Sequence, residues 1–539
     1  MPKLRPSVIS FLWLLGVALA GFVLLIPFVN VQGWLAQGDH GRDCYIFERI
    51  LYGDMPYRDF WWVYGPLMPY YFALFFKILG PSVLTALIAH SFLIFLSGIF
   101  IFLALNTIVP LWAAFLGACW FWLFYQGFFF TYDHTGGILC LSAFAFFFLS
   151  YIKTDLRKML WYALAVTFVL LLIRVNFGLI ALATCVVTAA MTPLLPEPCD
   201  SKDQRKKHSP AFFYTSLFII PLTIVLIYAF FLYGLSNAEI RQCLPYSAEQ
   251  EQPYVGSLME RLQTYFQMFF SSLRASQVQL ALCLTVLACT VHMIFLALKK
   301  RIVHQREIIL CLIFLGLFLL LMLHEYLFSG FFYRALWQRP ISVIFIFTVI
   351  GVSAAHLQSA PRRILLAFIT LLVAWGFVNN SKTIQGMKTP EHYFANARAR
   401  VYVINDIGWL KTVNDTTEFL NKNLNKDELF FAIPYEPLYY YLTRKKSPTR
   451  QLVFGEFLKI RPPQEEKTIR ELEENHVNWV LLSSRSASPE GGLGVLGKDY
   501  CPLIADYINK NFTSVVRFGD WTNVPGWAWN HGTLILKRK

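Results

Sequence analysis

The apolar residues of this chain fall into blocks about 20 residues long, the length of helix that crosses roughly 30 Å of hydrocarbon. The first block runs from Val8 to about Phe28 behind a basic N-terminus. It is long for a signal peptide and lacks a clear small-residue cleavage site, so it reads as a retained helix. Further blocks lie near 82–105, 111–130, 133–152, 159–174, 176–195, 211–233, 279–298, 307–328, 340–357 and 364–378. With the first helix this makes about eleven spans. Helices satisfy their backbone hydrogen bonds internally in lipid, so the expected fold is a polytopic helical bundle. Two long polar segments interrupt the series, 30–81 and 234–278, the first too rich in Asp, Arg and Gly to be a span.

After residue 378 the pattern changes to short alternating elements. Thr416-Thr417-Glu418 opens a helical pattern, Glu428–Ile433 reads as a strand and Pro437–Leu442 as a short helix. An amphipathic helix at Glu465–Asn475, a buried strand at Val477–Leu482, a helix near Tyr500–Asn511 and strands at Thr513–Phe518 and Thr533–Leu536 follow. Helices alternating with strands imply a small α/β domain. The chain therefore divides into a membrane module, 1–378, and a soluble domain, 379–539.

Composition agrees: 56% of residues are hydrophobic and 15% charged, where soluble domains carry roughly 25% charged. The net charge of +14 needs a location before it has a meaning. It collects in short loops: Lys3 and Arg5; Lys153, Arg157 and Lys158; Lys202 to Lys207; Lys299 to Arg306; Arg362 and Arg363. These clusters recur at every second loop, the positive-inside pattern, which argues against a nucleic-acid surface with interleaved aromatics. With an odd number of spans the N-terminus is expected inside and the C-terminus outside, placing 30–81, 234–278 and the tail on the extracytoplasmic face.

Several motifs carry little. Gly492-Leu493-Gly494-Val495-Leu496-Gly497 matches GxGxxG, but a polar loop separates it from the preceding strand, and a dinucleotide site needs strand, glycines and helix in direct succession. Most cysteines lie within apolar blocks and none has metal-ligand spacing.

The first loop carries chemistry. Asp39 stands just before a helical pattern whose apolar residues Ile46, Ile50 and Leu51 suit an amphipathic helix on the membrane surface. Asp39 and Asp43 are four apart, so both can face one site, and the helix dipole favours an anion at its start. A fixed carboxylate there can take the proton of an attacking hydroxyl. Such acids also suit Mg²⁺ or Mn²⁺, hard cations that want oxygen ligands. The plainer reading is that they cap a helix and pair with Arg42, Arg49 and Arg58.

The run from Asp39 to Leu67 resembles the first loop of GT-C membrane glycosyltransferases, especially the bacterial branch related to protein O-mannosyltransferases and the lipid A aminoarabinose transferase. The resemblance rests on Asp39, on the Gly53-Asp54-Met55-Pro56-Tyr57-Arg58-Asp59 turn and on Gly65-Pro66-Leu67. It implies a bacterial inner-membrane enzyme with an extracytoplasmic C-terminal domain. Sugar would pass from a polyprenyl-phosphate donor to a lipid-, glycan- or protein-linked acceptor, with Asp39 as the catalytic carboxylate and inversion at the anomeric carbon. Many relatives carry Asp-Glu where this chain has Asp39-His40, a difference that bears on any metal requirement. Asp43 and Asp59 are candidate second carboxylates, and Tyr57, Arg58 and His324 candidate donor or acceptor contacts. Arg174, Arg334 and Arg339 are the candidates for the lipid phosphate, since a membrane-buried Arg needs a partner and binds phosphate bidentately. Interfacial anchoring is the alternative for each. A transporter or flippase is the competing function. It would show internal repeats and helices broken near the midplane, and no repeat is visible.

Overall fold

A computed structural model describes residues 6–32, 38–124, 132–191, 210–243, 257–299, 306–329, 332–403, 407–455, 458, 460–484, 494–522 and 532–539. Lys3, Arg5, the basic loop 202–207, Lys300, Arg301 and the first two residues of the glycine run lie outside them.

The chain begins with α1 (Pro6–Leu25), α2 (Gly38–Leu51), α3 (Leu67–Leu79), α4 (Val83–Asn106), α5 (Leu111–Phe124) and α6 (Tyr132–Thr154). It continues with α7 (Arg157–Ile173), α8 (Val175–Met191), α9 (Pro210–Leu232), α10 (Asn237–Cys243) and α11 (Leu258–Ala275). The series closes with α12 (Gln277–Leu298), α13 (Arg306–Met322), α14 (His324–Ser329), α15 (Arg339–Ala355) and α16 (Ser359–Met387). Every expected apolar block is mainly helical over its described residues. Six helical segments among these residues have the length and hydropathy to cross a membrane: Val83–Asn106, His134–Thr154, Gln277–Leu298, Arg306–Phe328, Arg334–Ala355 and Ser359–Met387.

Two expectations for the first loop change. The segment 30–81 is not polar throughout, because α3 is a 13-residue apolar helix within it; averaged over the whole loop, its apolar run is diluted by the charges before it. Nor does α2 lie on a membrane surface. Its residues from His40 to Glu48 are buried, with Phe47 stacked on Phe72 of α3 at 4.5 Å. An amphipathic helix that does expose apolar residues is α11, where Leu258, Met259, Phe266 and Phe270 are exposed and Ser257 and Glu260 close the start as a capping box.

The tail holds helices and strands in an α/β arrangement. It contains α17 (Ile407–Asn423), β4 (Phe430–Ile433), α18 (Pro437–Thr443), α19 (Pro462–Glu474), β5 (Trp479–Ser483), α20 (Pro502–Asn511), β6 (Phe512–Phe518) and β7 (Thr533–Arg538). The sheet order is β4-β5-β7-β6, with β4 parallel to β5 and the other pairs antiparallel. The helix expected to open at Thr416 already starts by Ile407. Thr416 is buried against β7, its hydroxyl 2.7 Å from that of Thr533, so the residue expected to cap a helix instead makes an interior hydrogen bond.

The tail is stitched to the first loop. A small sheet joins β1 (Val31–Gln32), β2 (Tyr393–Phe394) and β3 (Val401–Val403), in the order β1-β3-β2. Arg398, in the linker, pairs with Glu48 of α2 at 2.7 Å and lies 4.0 Å over the Tyr441 ring of α18. Ser447 N–H donates to the Tyr45 hydroxyl at 2.8 Å.

Candidate active site

Asp39 occupies the first turn of α2, where unpaired backbone N–H groups and the helix dipole favour a carboxylate. One turn on, Arg42 is almost fully buried. Its Nη1 lies 3.0 Å from Asp39 Oδ1, and its Nε and Nη2 donate to Asp43 Oδ1 at 3.0 and 2.7 Å. Tyr435, between β4 and α18, completes the group. Its hydroxyl accepts from Arg42 Nη1 at 2.9 Å and donates to Asp39 Oδ1 at 2.5 Å.

Burial opposes the charge on Arg42, but Tyr435, Asp43 and Asp39 outweigh it and hold the guanidinium above its ordinary range. Burial also pushes the Tyr435 phenol well above the usual tyrosine value, with Arg42 pulling the other way, so the phenol stays a donor. The rings of Trp62, Tyr64 and Trp61 stand 5.1, 5.5 and 6.0 Å from Arg42 and add cation–π attraction in a site shielded from water.

The Tyr64 ring also faces Arg174, at 5.4 Å. Arg174 sits at the non-helical joint between α7 and α8. Its Nη2 donates to Glu325 of α14 at 2.9 Å, and its Nη1 lies 2.7 Å from His134 Nδ1. Asn176 donates to the same Glu325 oxygen, and His324 Nε2 stands 3.1 Å from the Asn176 amide nitrogen. Trp337 gathers the remaining groups, with Arg174 at 4.4 Å from its ring and Arg334 at 5.8 Å. The two clusters form one continuous patch of guanidinium groups, carboxylates and aromatic walls. Asp39 is its partly open end, with the side chain 35% exposed.

The other expected residues have different surroundings. Asp43 is wholly buried under Arg42. Arg58 is exposed and paired with Asp59 at 2.8 Å, while Asp59 accepts the Met55 N–H at 2.8 Å and closes its turn. Tyr57 is buried with φ 68°, its phenol donating to the Tyr64 carbonyl and its own carbonyl accepting from Arg450 at 2.9 and 2.6 Å. The Gly53–Asp59 turn thus clamps the base of the loop to the tail and sets Tyr64. Arg339 donates to the Phe124 carbonyl at the end of α5, whereas Arg334, in the preceding 3-10 turn, is at Trp337.

The reading of the sequence missed Tyr435, His134, Tyr64 and Trp337, and treated Arg42 only as a pairing partner. One signal for Tyr435 existed: Pro434-Tyr435-Glu436-Pro437 follows β4 directly, and α/β sheets place functional groups beyond strand C-termini.

Asp39 and Asp43 do not fit a divalent cation in this arrangement. One oxygen of each carboxylate, Oδ1, already receives Arg42, so the guanidinium takes the place a shared metal would need. Among the described residues no group of three or more His, Cys, Asp or Glu is arranged to hold a metal.

Fold and site together define a polytopic helical membrane protein whose first loop and C-terminal tail close over a buried charged patch. No family model matches the sequence, and no curated protein matches it. Solved structures do. The chain is similar to ArnT from Cupriavidus metallidurans in the apo state, with a TM-score of 0.58 at 12% identity, covering 99% of this chain and 98% of that one. For the same protein bound to undecaprenyl phosphate the TM-score is 0.54 at 12% identity, covering 99% and 98%. For the apo oligosaccharyltransferase from Archaeoglobus fulgidus it is 0.53 at 12% identity, covering 88% of this chain and 69% of that one. The chain therefore shares its overall fold with these structures, in keeping with the architecture that the first loop led us to expect.

Proposed function

We propose that the chain is a membrane glycosyltransferase that moves a sugar from a polyprenyl-phosphate donor to an acceptor hydroxyl, with Asp39 as general base. The observation that carries this reading is the partly open Asp39 carboxylate held at one end of a buried patch that contains Arg174 and Arg334. The fold it shares with ArnT supports a lipid-phosphate donor, since one ArnT structure holds undecaprenyl phosphate.

In this reading the phosphodiester lies against Arg174 and Arg334, where guanidinium groups meet phosphate bidentately. The acceptor oxygen attacks the anomeric carbon, the bond from that carbon to the phosphate oxygen breaks, and its electron pair leaves on the polyprenyl phosphate. The acceptor proton passes to Asp39, and the anomeric centre inverts. The basic loops at 153–158, 299–306 and 362–363 support a cytoplasmic side opposite the tail, and in this reading the reaction takes place on the outer face of a bacterial inner membrane. The sugar is taken by a lipid-, glycan- or protein-linked hydroxyl.

The test uses the full chain in lipid nanodiscs, a panel of radiolabelled undecaprenyl-phosphate hexoses and pentoses, and bacterial membrane extract as acceptor. Wild type transfers label, and Asp39→Asn loses about 10²- to 10⁴-fold, the range of a general base. Undiminished transfer by Asp39→Asn overturns the assignment.

A further inference from the structure

We propose that Tyr435 is a positioning residue through which the soluble tail orients the Asp39 carboxylate, so that the site is complete only when the tail is docked on α2. This rests on the reading of Asp39 as the base. The two oxygens of Asp39 are treated differently. Oδ1 is held by Arg42 at 3.0 Å and by the Tyr435 hydroxyl at 2.5 Å. Oδ2 has no partner among the described residues, and it is the oxygen left to meet an acceptor hydroxyl. Arg42 alone does not fix the plane of the carboxylate, because a single contact to one oxygen leaves rotation about the last side-chain bond free. Tyr435 supplies the second contact, and its own oxygen is pinned by Arg42 at 2.9 Å.

The docking that delivers Tyr435 is built into the backbone. A Cβ on Gly38 would stand 2.4 Å from the Tyr435 ring, and one on Gly41 would stand 2.5 Å from Leu438 Cβ and 2.8 Å from its backbone. Only residues without a side chain permit so close an approach of α2 to the segment 435–438. These two glycines are the Gly38 and Gly41 that flank Asp39-His40, so the stretch that carries the base is also the stretch that admits the tail. A tyrosine that merely filled space would need neither its hydroxyl nor this closeness to a charged pair.

The experiment compares wild type, Tyr435→Phe, Asp39→Asn and the double variant, as full chains in nanodiscs with the undecaprenyl-phosphate sugar that wild type uses. Tyr435→Phe keeps the ring against Gly38 and removes only the hydroxyl. We expect kcat to fall about 10- to 100-fold, as for one lost hydrogen bond to a charged group, with donor KM within about twofold. On the Asp39→Asn background the same change has no further effect, because there is no charged base left to orient. Equal melting temperature and equal protease resistance of the tail show that docking persists. Wild-type kcat in Tyr435→Phe, a rise in KM alone, or a loss that repeats in full on Asp39→Asn overturns the positioning role. Full activity in Asp39→Asn overturns Asp39 as the base, and a wild type that uses no donor of the panel overturns the glycosyltransferase reading instead.

Discussion

Glu325 Oε1 lies 2.9 Å from Arg174 Nη2, closing an ion pair between residues 151 apart in sequence. Glu325 is fully buried and Arg174 nearly so. Removing one member of such a pair leaves an uncompensated charge out of water, at a cost of about 3–5 kcal/mol. Glu325→Ala should therefore lower the thermal midpoint sharply. Combining it with Arg174→Leu should recover part of the loss, since both charges are then gone. Additive losses in unfolding measurements on detergent-solubilised protein would show that the pair is not coupled.

Gly41 sets the distance between α2 and α18. Gly41→Ala places a methyl group against the Leu438 backbone, and overpacking of this kind costs about 1–3 kcal/mol. The expected result is faster cleavage of the tail in limited proteolysis, with the membrane module intact. The same substitution at Gly316 in α13, whose Cβ would meet open space, leaves tail protection unchanged.

Glu239 in α10 holds the tail at a second point. Its carboxylate lies 2.8 Å from Lys467 and 3.5 Å from Arg450. Burial works to raise its pKa, but Lys467, Ser236 and Arg450 prevail and lower it from 4.5 to about 2. A carboxyl with a depressed folded-state value adds stability above its unfolded value and loses it as pH falls through the folded one. Wild type should thus melt above Glu239→Gln at pH 6, and the gap should close between about pH 4.5 and pH 2. A gap that does not vary with pH would contradict the ion pairs.

Arg42 takes the place of a divalent cation between Asp39 and Asp43, which sets an expectation for chelators. Transfer by wild type should survive EDTA. Arg42→Ala should lose both activity and about 3–5 kcal/mol of stability, because Asp43 is then a buried charge with its main cation gone. Loss of wild-type transfer in EDTA with recovery in Mn²⁺ would overturn this account.

Much of the fold was legible because its signals are local. Apolar blocks, strand alternation and helix caps are properties of short windows, and the tail elements fall within a few residues of their expected places, apart from the early start of α17. Asp39 and Arg174 stood out for a related reason: a carboxylate at a helix start and an arginine inside an apolar run are exceptions that need a partner. What a window cannot carry is the identity of that partner. The pattern in α2 announces an apolar face but not that α3 and α18 cover it. Arg334 and Arg339 look equivalent in sequence, yet one lies in a 3-10 turn beside Trp337 and the other opens α15 beside Phe124. Tyr435 reaches Asp39 across 396 residues, a separation no periodicity records.

The small sheet that joins Val31 to Tyr402 has a consequence for biosynthesis. A nascent chain emerges from its N-terminus, so β1 waits unpaired while nearly every membrane helix is made and inserted. Only after β3 and the Tyr435 segment have emerged can the first loop find its partners, and pairings so distant along the chain form late. In the reading proposed here the half-made protein is catalytically silent in the membrane, and the last quarter of translation acts as the timer that switches it on.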